Sequence, residues 1–234
     1  MNTLLAMVQG IAGSLSLPVP SSLVGNADAA SVLWLNLAKR EGRELARRHD
    51  WQALIVQKTF TSTATVVQSS ALGTDYDHMV PDVEIWDQTN HQVLVGPTSS
   101  VNWVRLQSSA VTGSIAGWWR ILGGALNVYP APTAGHTFAL DYISKNWCQS
   151  SGGTAQSTWA ADTDTPLIPD HLIELGITWR WLRVKSMHYA EEMATYEREL
   201  EKAASRDRGM RVLYVSKSRD DDYPPQPGWT GTVG

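Results

Sequence analysis

The chain has 234 residues, 43% of them hydrophobic, enough for one large cored domain or two small ones and too many for a disordered protein. A formal net charge of −4 argues against bulk binding to polyanions and leaves only local basic patches for such a role. The one cysteine, Cys148, excludes an internal disulfide and a cysteine-based zinc site, so nothing points to a secreted, disulfide-stapled protein.

Residues 1–38 contain no Lys or Arg and a single acid, Asp28. Leu4, Leu5, Met7, Val8 and Ile11 give this stretch an apolar face, but the basic start of a signal peptide is missing. The expectation is a short amphipathic helix ended by Pro18 and Pro20. Asp28 then has the chemistry of an N-cap for a helix over 29–49 that offers Trp34, Ala38, Leu45 and Ala46 for burial. No run reaches the roughly 18 apolar residues of a membrane span, and no membrane insertion is expected.

Residues 51–165 change character: they are poor in charge and rich in Ser, Thr, Val, Gly and Trp, a β composition. In "GWWRILGGALNVY" at 117–129, two strand-like runs flank Gly123-Gly124, a pair that supplies the positive φ angles of a tight hairpin. In 137–143, alternation puts Phe138, Leu140 and Tyr142 on one face. Runs at 54–68, 83–86, 92–95 and 101–106 are read as further strands of a small sandwich or barrel, with an exposed loop at 69–78.

After Pro166 and Pro169 the spacing predicts one long helix from about 169 to 206, about 55 Å at 1.5 Å per residue. Leu172, Leu175, Trp179, Leu182, Ser186, Tyr189, Met193, Tyr196, Leu200 and Ala203 alternate at spacings of three and four, a heptad seam. Trp179 lies on that seam and is read as subunit core. Trp181 is rotated about 200° from it and aligns with Ile173, Ile177, Val184 and His188, so the first half of the helix is apolar on two faces. The second face is expected to meet the β block or a neighbouring copy, and is read as a subunit contact. Beyond Gly209 the periodicity stops, and the ending "DDDYPPQPGWTGTVG" reads as an extended segment that orders on a partner, with Tyr214, Tyr223 and Trp229 as anchors.

Catalytic candidates are thin. His49-Asp50 closes a helix, where a cation meets the dipole, Asp162 and Asp164 before Pro166 read as turn and capping chemistry, and Asp220–Asp222 stand in the tail. No nucleophile elbow, phosphate-binding glycine loop or His-rich metal motif occurs, so neither an enzyme nor a cofactor is expected. A nucleic-acid module is the alternative. Arg40, Arg43 and Arg47 share one helical face, and Arg180, Arg183 and Lys185 cluster near Trp181. These six side chains either line a path for DNA or pair with acids across subunits.

Five stretches, in this order, carry a resemblance: "LPVPSSLVG" at 17–25, "EGRELARRHDWQAL" at 41–54, "IWDQTNHQVLVGP" at 85–97, "GGALNVYPAPTAGHT" at 123–137 and residues 161–203. Together the chain resembles the head-to-tail adaptor proteins of tailed bacteriophages. The family's Leu-Pro-x-Asp-Phe segment is met only loosely, by Val80-Pro81-Asp82-Val83-Glu84. The resemblance implies an α+β fold: helices of a bundle in 1–50, an inserted antiparallel β domain in 51–165, a long bundle helix in 166–209 and an extended docking tail in 210–234. It also implies a structural virion protein, made in the host cytoplasm and forming a ring, typically of twelve copies, beneath the portal. Its partners would be the portal, the tail or nozzle protein below, other copies of itself and, weakly, genomic DNA. On that reading Ile173, Ile177, Trp181, Val184 and His188 form the subunit interface, and Tyr214, Tyr223, Pro224, Pro225 and Trp229 dock on the portal.

Overall fold

The computed structural model describes residues 1–81, 83–108 and 117–207. Helix α1 (Leu4–Ser14) starts where the Thr3 hydroxyl accepts from the Ala6 amide, and buries Leu4, Met7, Val8, Ile11 and Ala12. It stops before the two prolines, at a left-handed Ser16. Helix α2 (Ala29–Arg48) is capped as expected: the Asp28 carboxylate accepts from the amides of Ala30 and Ser31. Its buried stripe is Trp34, Leu37, Ala38, Glu41, Gly42 and Leu45, helical spacing with one carboxylate inside it.

Next come β1 (Ile55–Thr61), β2 (Val67–Gln68), β3 (Tyr76–Met79), β4 (Ile85–Asp87) and β5 (Gln92–Leu94). The run at 101–106 is not a strand but lies within α3 (Ser100–Ser108). A half-buried strand would hide alternate residues, yet only Trp103 is buried here, while Val101 and Val104 stay exposed. One indole wedged beside Tyr129 and under Arg120 needs no second inward side chain, and the Ser99 carbonyl accepts from the Trp103 amide to open the helix. Strands β6 (Trp118–Leu122) and β7 (Ala125–Tyr129) form the expected hairpin, with Gly123 and Gly124 at φ 60° and 75°. Strand β8 (Thr137–Ser144) buries Phe138, Leu140 and Tyr142.

All strand pairing is antiparallel apart from an isolated parallel bridge between Val95 and Trp118. One sheet runs β1-β8-β4-β5, with β3 paired to the far end of β8, and a second runs β2-β7-β6. Both supply the core of Phe60, Ile85, Leu94, Trp119, Leu126, Val128, Phe138, Leu140 and Tyr142. The next residue, Ile143, already belongs to the helical core. So do Trp147, Cys148, Trp159 and Ile168, from the segment that carries the short strands β9 (Cys148–Gln149), β10 (Ala155–Gln156) and β11 (Thr165–Pro166). Burial pushes the Cys148 thiol up to about 12.

The single long helix is replaced by two, α4 (Asp170–Val184) and α5 (Ala190–Asp207), packed on each other. Ser186 sits in the left-handed region at φ 55°, the Ser186 amide donates to the Arg183 carbonyl, and the Met187 amide donates to the Leu182 carbonyl. That pair of bonds is a Schellman closure with serine where glycine is usual. The heptad seam folds back on itself: Leu172, Trp179 and Leu182 on α4 and Tyr196 and Leu200 on α5 are buried, while Ser186, Tyr189 and Met193 at the turn are exposed. The mixed α+β class stands.

Candidate functional site

A buried charge cluster joins three helices. Glu41 of α2 is fully buried and pairs with Arg180 of α4, itself 5% exposed, at 2.5 Å. Tyr196 of α5 donates to the other Glu41 oxygen at 2.6 Å, and Arg180 reaches Glu44 at 2.7 Å. The guanidinium also lies 4.4 Å from the centre of the Trp179 ring. Gly176 is what lets the Glu41 side chain in, since a Cβ there would overlap its carboxylate. Burial is the strongest influence on Glu41 and pushes its carboxyl above the usual range despite Arg180 and Tyr196. For Glu44 desolvation is outweighed by Arg40 and Arg180, which hold it below that range. Burial and the Glu41 charge push the Tyr196 phenol far up.

The predicted interface and charge residues are distributed around this cluster. Ile173 and Ile177 are wholly buried inside one chain, and Trp181 stacks on Trp34 of α2 with ring centres 5.4 Å apart and planes 7° apart. Helices α1, α2 and α5 all pack on α4, so the part of its second apolar face formed by Ile173, Ile177 and Trp181 is covered within the subunit. Only Val184 and His188 of the predicted interface remain exposed. Among the six basic residues, Arg180 is internal and Arg40 is held by Glu44 at 2.7 Å, whereas Lys185 lies 5.8 Å from the Trp181 ring centre. Arg43, Arg47 and Arg183 are exposed and form no ion pair among the described residues. Tyr214, Tyr223, Pro224, Pro225 and Trp229 lie outside the described residues.

Among the acidic and histidine candidates, those within the described residues are tied into the fold, and Asp220–Asp222 lie outside the described residues. Asp164 accepts from the amides of Ala160 and Ala161, the local turn role expected for it. Asp162 instead accepts from the amides of Leu23 and Val24, and so ties the segment after α1 to the start of the β11 region rather than capping a turn of its own. His49 meets Asp207 at 3.0 Å, which pins the end of α5 to the end of α2. His78 stands between Asp50 and Asp77, which outweigh desolvation and raise its pKa. Nor is 69–78 a free loop. Its Asp75 accepts from the Tyr142 hydroxyl and the Ser144 hydroxyl, each at 2.7 Å, and burial together with the Asp75 charge pushes the Tyr142 phenol up to about 12.

Two exposed features among the described residues suit contact with other molecules. The α4–α5 turn exposes Val184, Met187, Tyr189 and Met193, an apolar tip that periodicity could not show because a continuous helix would have spread these residues around its axis. A cleft of about 390 Å³ between α2 and the end of β8 carries Arg43, Arg47 and Lys145 above Ile143 and Trp147. No described helix is long and apolar enough to cross a membrane.

No curated protein matches the chain. The family model for the SU10 adaptor protein does, over residues 3–226. A match of that extent, on a chain whose described residues form helices around a charge cluster and antiparallel sheets, shows that the protein belongs to the SU10 adaptor protein family, structural head-to-tail adaptors of tailed bacteriophages.

Proposed function

We propose that this chain assembles into a ring, of twelve copies as the resemblance implies, that joins the portal to the tail and continues the DNA channel. The observation that carries the reading is the family match over nearly the whole chain. The surfaces described above give it a physical form. Val184 and His188, with Met187, Tyr189 and Met193 beside them, offer a compact apolar tip suited to a neighbouring copy. Arg183 and Lys185 at the same end of α4 are exposed cations whose charge suits a DNA phosphate backbone. The tail residues Tyr214, Tyr223, Pro224, Pro225 and Trp229 have the spaced aromatic and proline chemistry of a peptide that docks in extended form on the portal. The β sheets are left as the surface for the tail or nozzle protein below.

Native mass measurement of the chain mixed with its phage's portal tests this. The expected result is a complex of fixed, multiple stoichiometry, with Met187→Glu/Tyr189→Glu lowering ring occupancy at least about tenfold while its melting temperature stays unchanged. A chain that stays monomeric beside portal at micromolar concentration, or a variant that assembles like the parent, refutes it.

A further inference from the structure

We propose that the cleft between α2 and the end of β8 is the receptor for an acidic segment of the same chain, Asp220–Asp222 with Tyr223 behind it. The cleft presents three cations, Arg43, Arg47 and Lys145, against one carboxylate, Asp77, which is already engaged by His78 at 2.8 Å. None of the three cations has an acid partner among the described residues; Arg43 and Lys145 spend one donor each on the carbonyls of Lys39 and Thr74. The floor is partly apolar, formed by Ile143 and by Trp147, whose buried indole N–H has no acceptor among the described residues. Cations above an apolar floor suit a peptide that brings carboxylates and then an aromatic ring. The chain holds one such run, Asp220-Asp221-Asp222-Tyr223-Pro224-Pro225.

The end of α5 also lies within tether reach of the cleft. Asp207, the last residue of α5, accepts from the Gln52 amide at 2.9 Å and meets His49 at 3.0 Å, and His49 is two residues beyond Arg47. Residues 208–219 separate Asp207 from the acidic run. Twelve residues reach roughly 40 Å when extended, whereas the cleft begins about one helical turn from the anchor. Such a tether sets an effective concentration on the order of millimolar, which favours the chain's own segment over that of a second copy in dilute solution. The inference does not rest on portal docking. Should the tail also serve the portal, the cleft holds its acidic part until the portal competes for it.

Carbodiimide cross-linking of the full chain, as an equal mixture of natural and ¹⁵N-labelled protein, tests the contact directly. The expected product links Lys145 to one of Asp220–Asp222 within a single isotope type, and its yield falls at least about tenfold in Arg43→Glu/Arg47→Glu, whose exposed positions should leave the melting temperature unchanged. Neutralising the run in Asp220→Asn/Asp221→Asn/Asp222→Asn should free the cleft and raise the affinity for a 30-base-pair duplex about tenfold. Absence of the cross-link overturns the proposal, as does a yield indifferent to the arginines. A product found only between isotope types assigns the cleft to a second copy instead, and equal duplex affinity before and after neutralisation shows that the acidic run does not occupy it.

Discussion

Removing Arg180 tests the account of the helical core most directly. In Arg180→Met the methionine keeps much of the volume beside Trp179, but Glu41 loses its buried counter-charge and keeps only the Tyr196 hydroxyl. Breaking a buried pair from one side costs roughly 3–5 kcal/mol at neutral pH, because the remaining charge is stranded in low dielectric. In a chain of this size that corresponds to about 10 °C in melting temperature. The pH dependence separates this cause from simple loss of packing. The Glu41 carboxyl is already raised, chiefly by burial, and without Arg180 it rises further. A carboxyl with a raised folded pKa has its full stability below the unfolded value and loses it as pH rises through the folded value. Glu44, held low in part by Arg180, has the opposite sign: its contribution is present above the unfolded value and fades on acidification. Between pH 7.5 and 5 the Glu41 effect makes the penalty of Arg180→Met shrink as pH falls, while the Glu44 effect adds to it only on further acidification, into and below the ordinary glutamate range. Urea denaturation at pH 7.5, 6 and 5 would measure it. A penalty below about 1 kcal/mol, or one constant across that range, would refute the buried-charge account.

Trp179→Ala and Trp181→Ala should each destabilise the isolated subunit by roughly 3–5 kcal/mol, since both rings are buried in one chain; thermal melts check this, and a normal melt for Trp181→Ala would return that ring to an intersubunit role. Ser186→Gly should stabilise the subunit by about 1 kcal/mol by relieving a left-handed L-residue, measured by urea denaturation. In one continuous helix the same change would instead cost about 1 kcal/mol, so its sign decides between hairpin and rod.

What the sequence made legible was local. Asp28 caps α2 through its own carboxylate, Gly123-Gly124 supplies both positive φ angles of the hairpin, and Phe138, Leu140 and Tyr142 alternate inward along β8. Each depends on residues a few positions apart. The failures needed distant information. Val101 and Val104 look like strand residues until Trp103 alone finds a partner, in Tyr129 and Arg120. The break after Val184 carries no glycine or proline, and serine adopts the left-handed turn because α5 gains the face of α4 by folding back. Trp181 was legible as buried, but its cover, Trp34, comes from nearly 150 positions earlier. The Glu41–Arg180 pair spans 139 positions and left no local mark. Of the candidate surfaces, the basic residues of α2 were legible, but Lys145 came to them only through the fold.

Breaking the helix relocates Val184, Met187, Tyr189 and Met193 and the point at which the chain reaches the end of α5. One rod from 169 to 206 would have spaced Val184, Met187, Tyr189 and Met193 along its middle and launched the tail from its far tip. In the hairpin those four residues cluster at the turn. The 18 residues of α5, about 27 Å of helix, then carry the chain back to His49 at the end of α2. The apolar tip and Asp207 therefore stand at opposite ends of α5, more than two Debye lengths apart at physiological salt. The rigid coupling between them is the Glu41, Arg180 and Tyr196 cluster that fixes α2, α4 and α5 together. Substitutions at the turn and at the end of α5 are thus expected to act independently, while a change at the cluster alters the seating of all three helices.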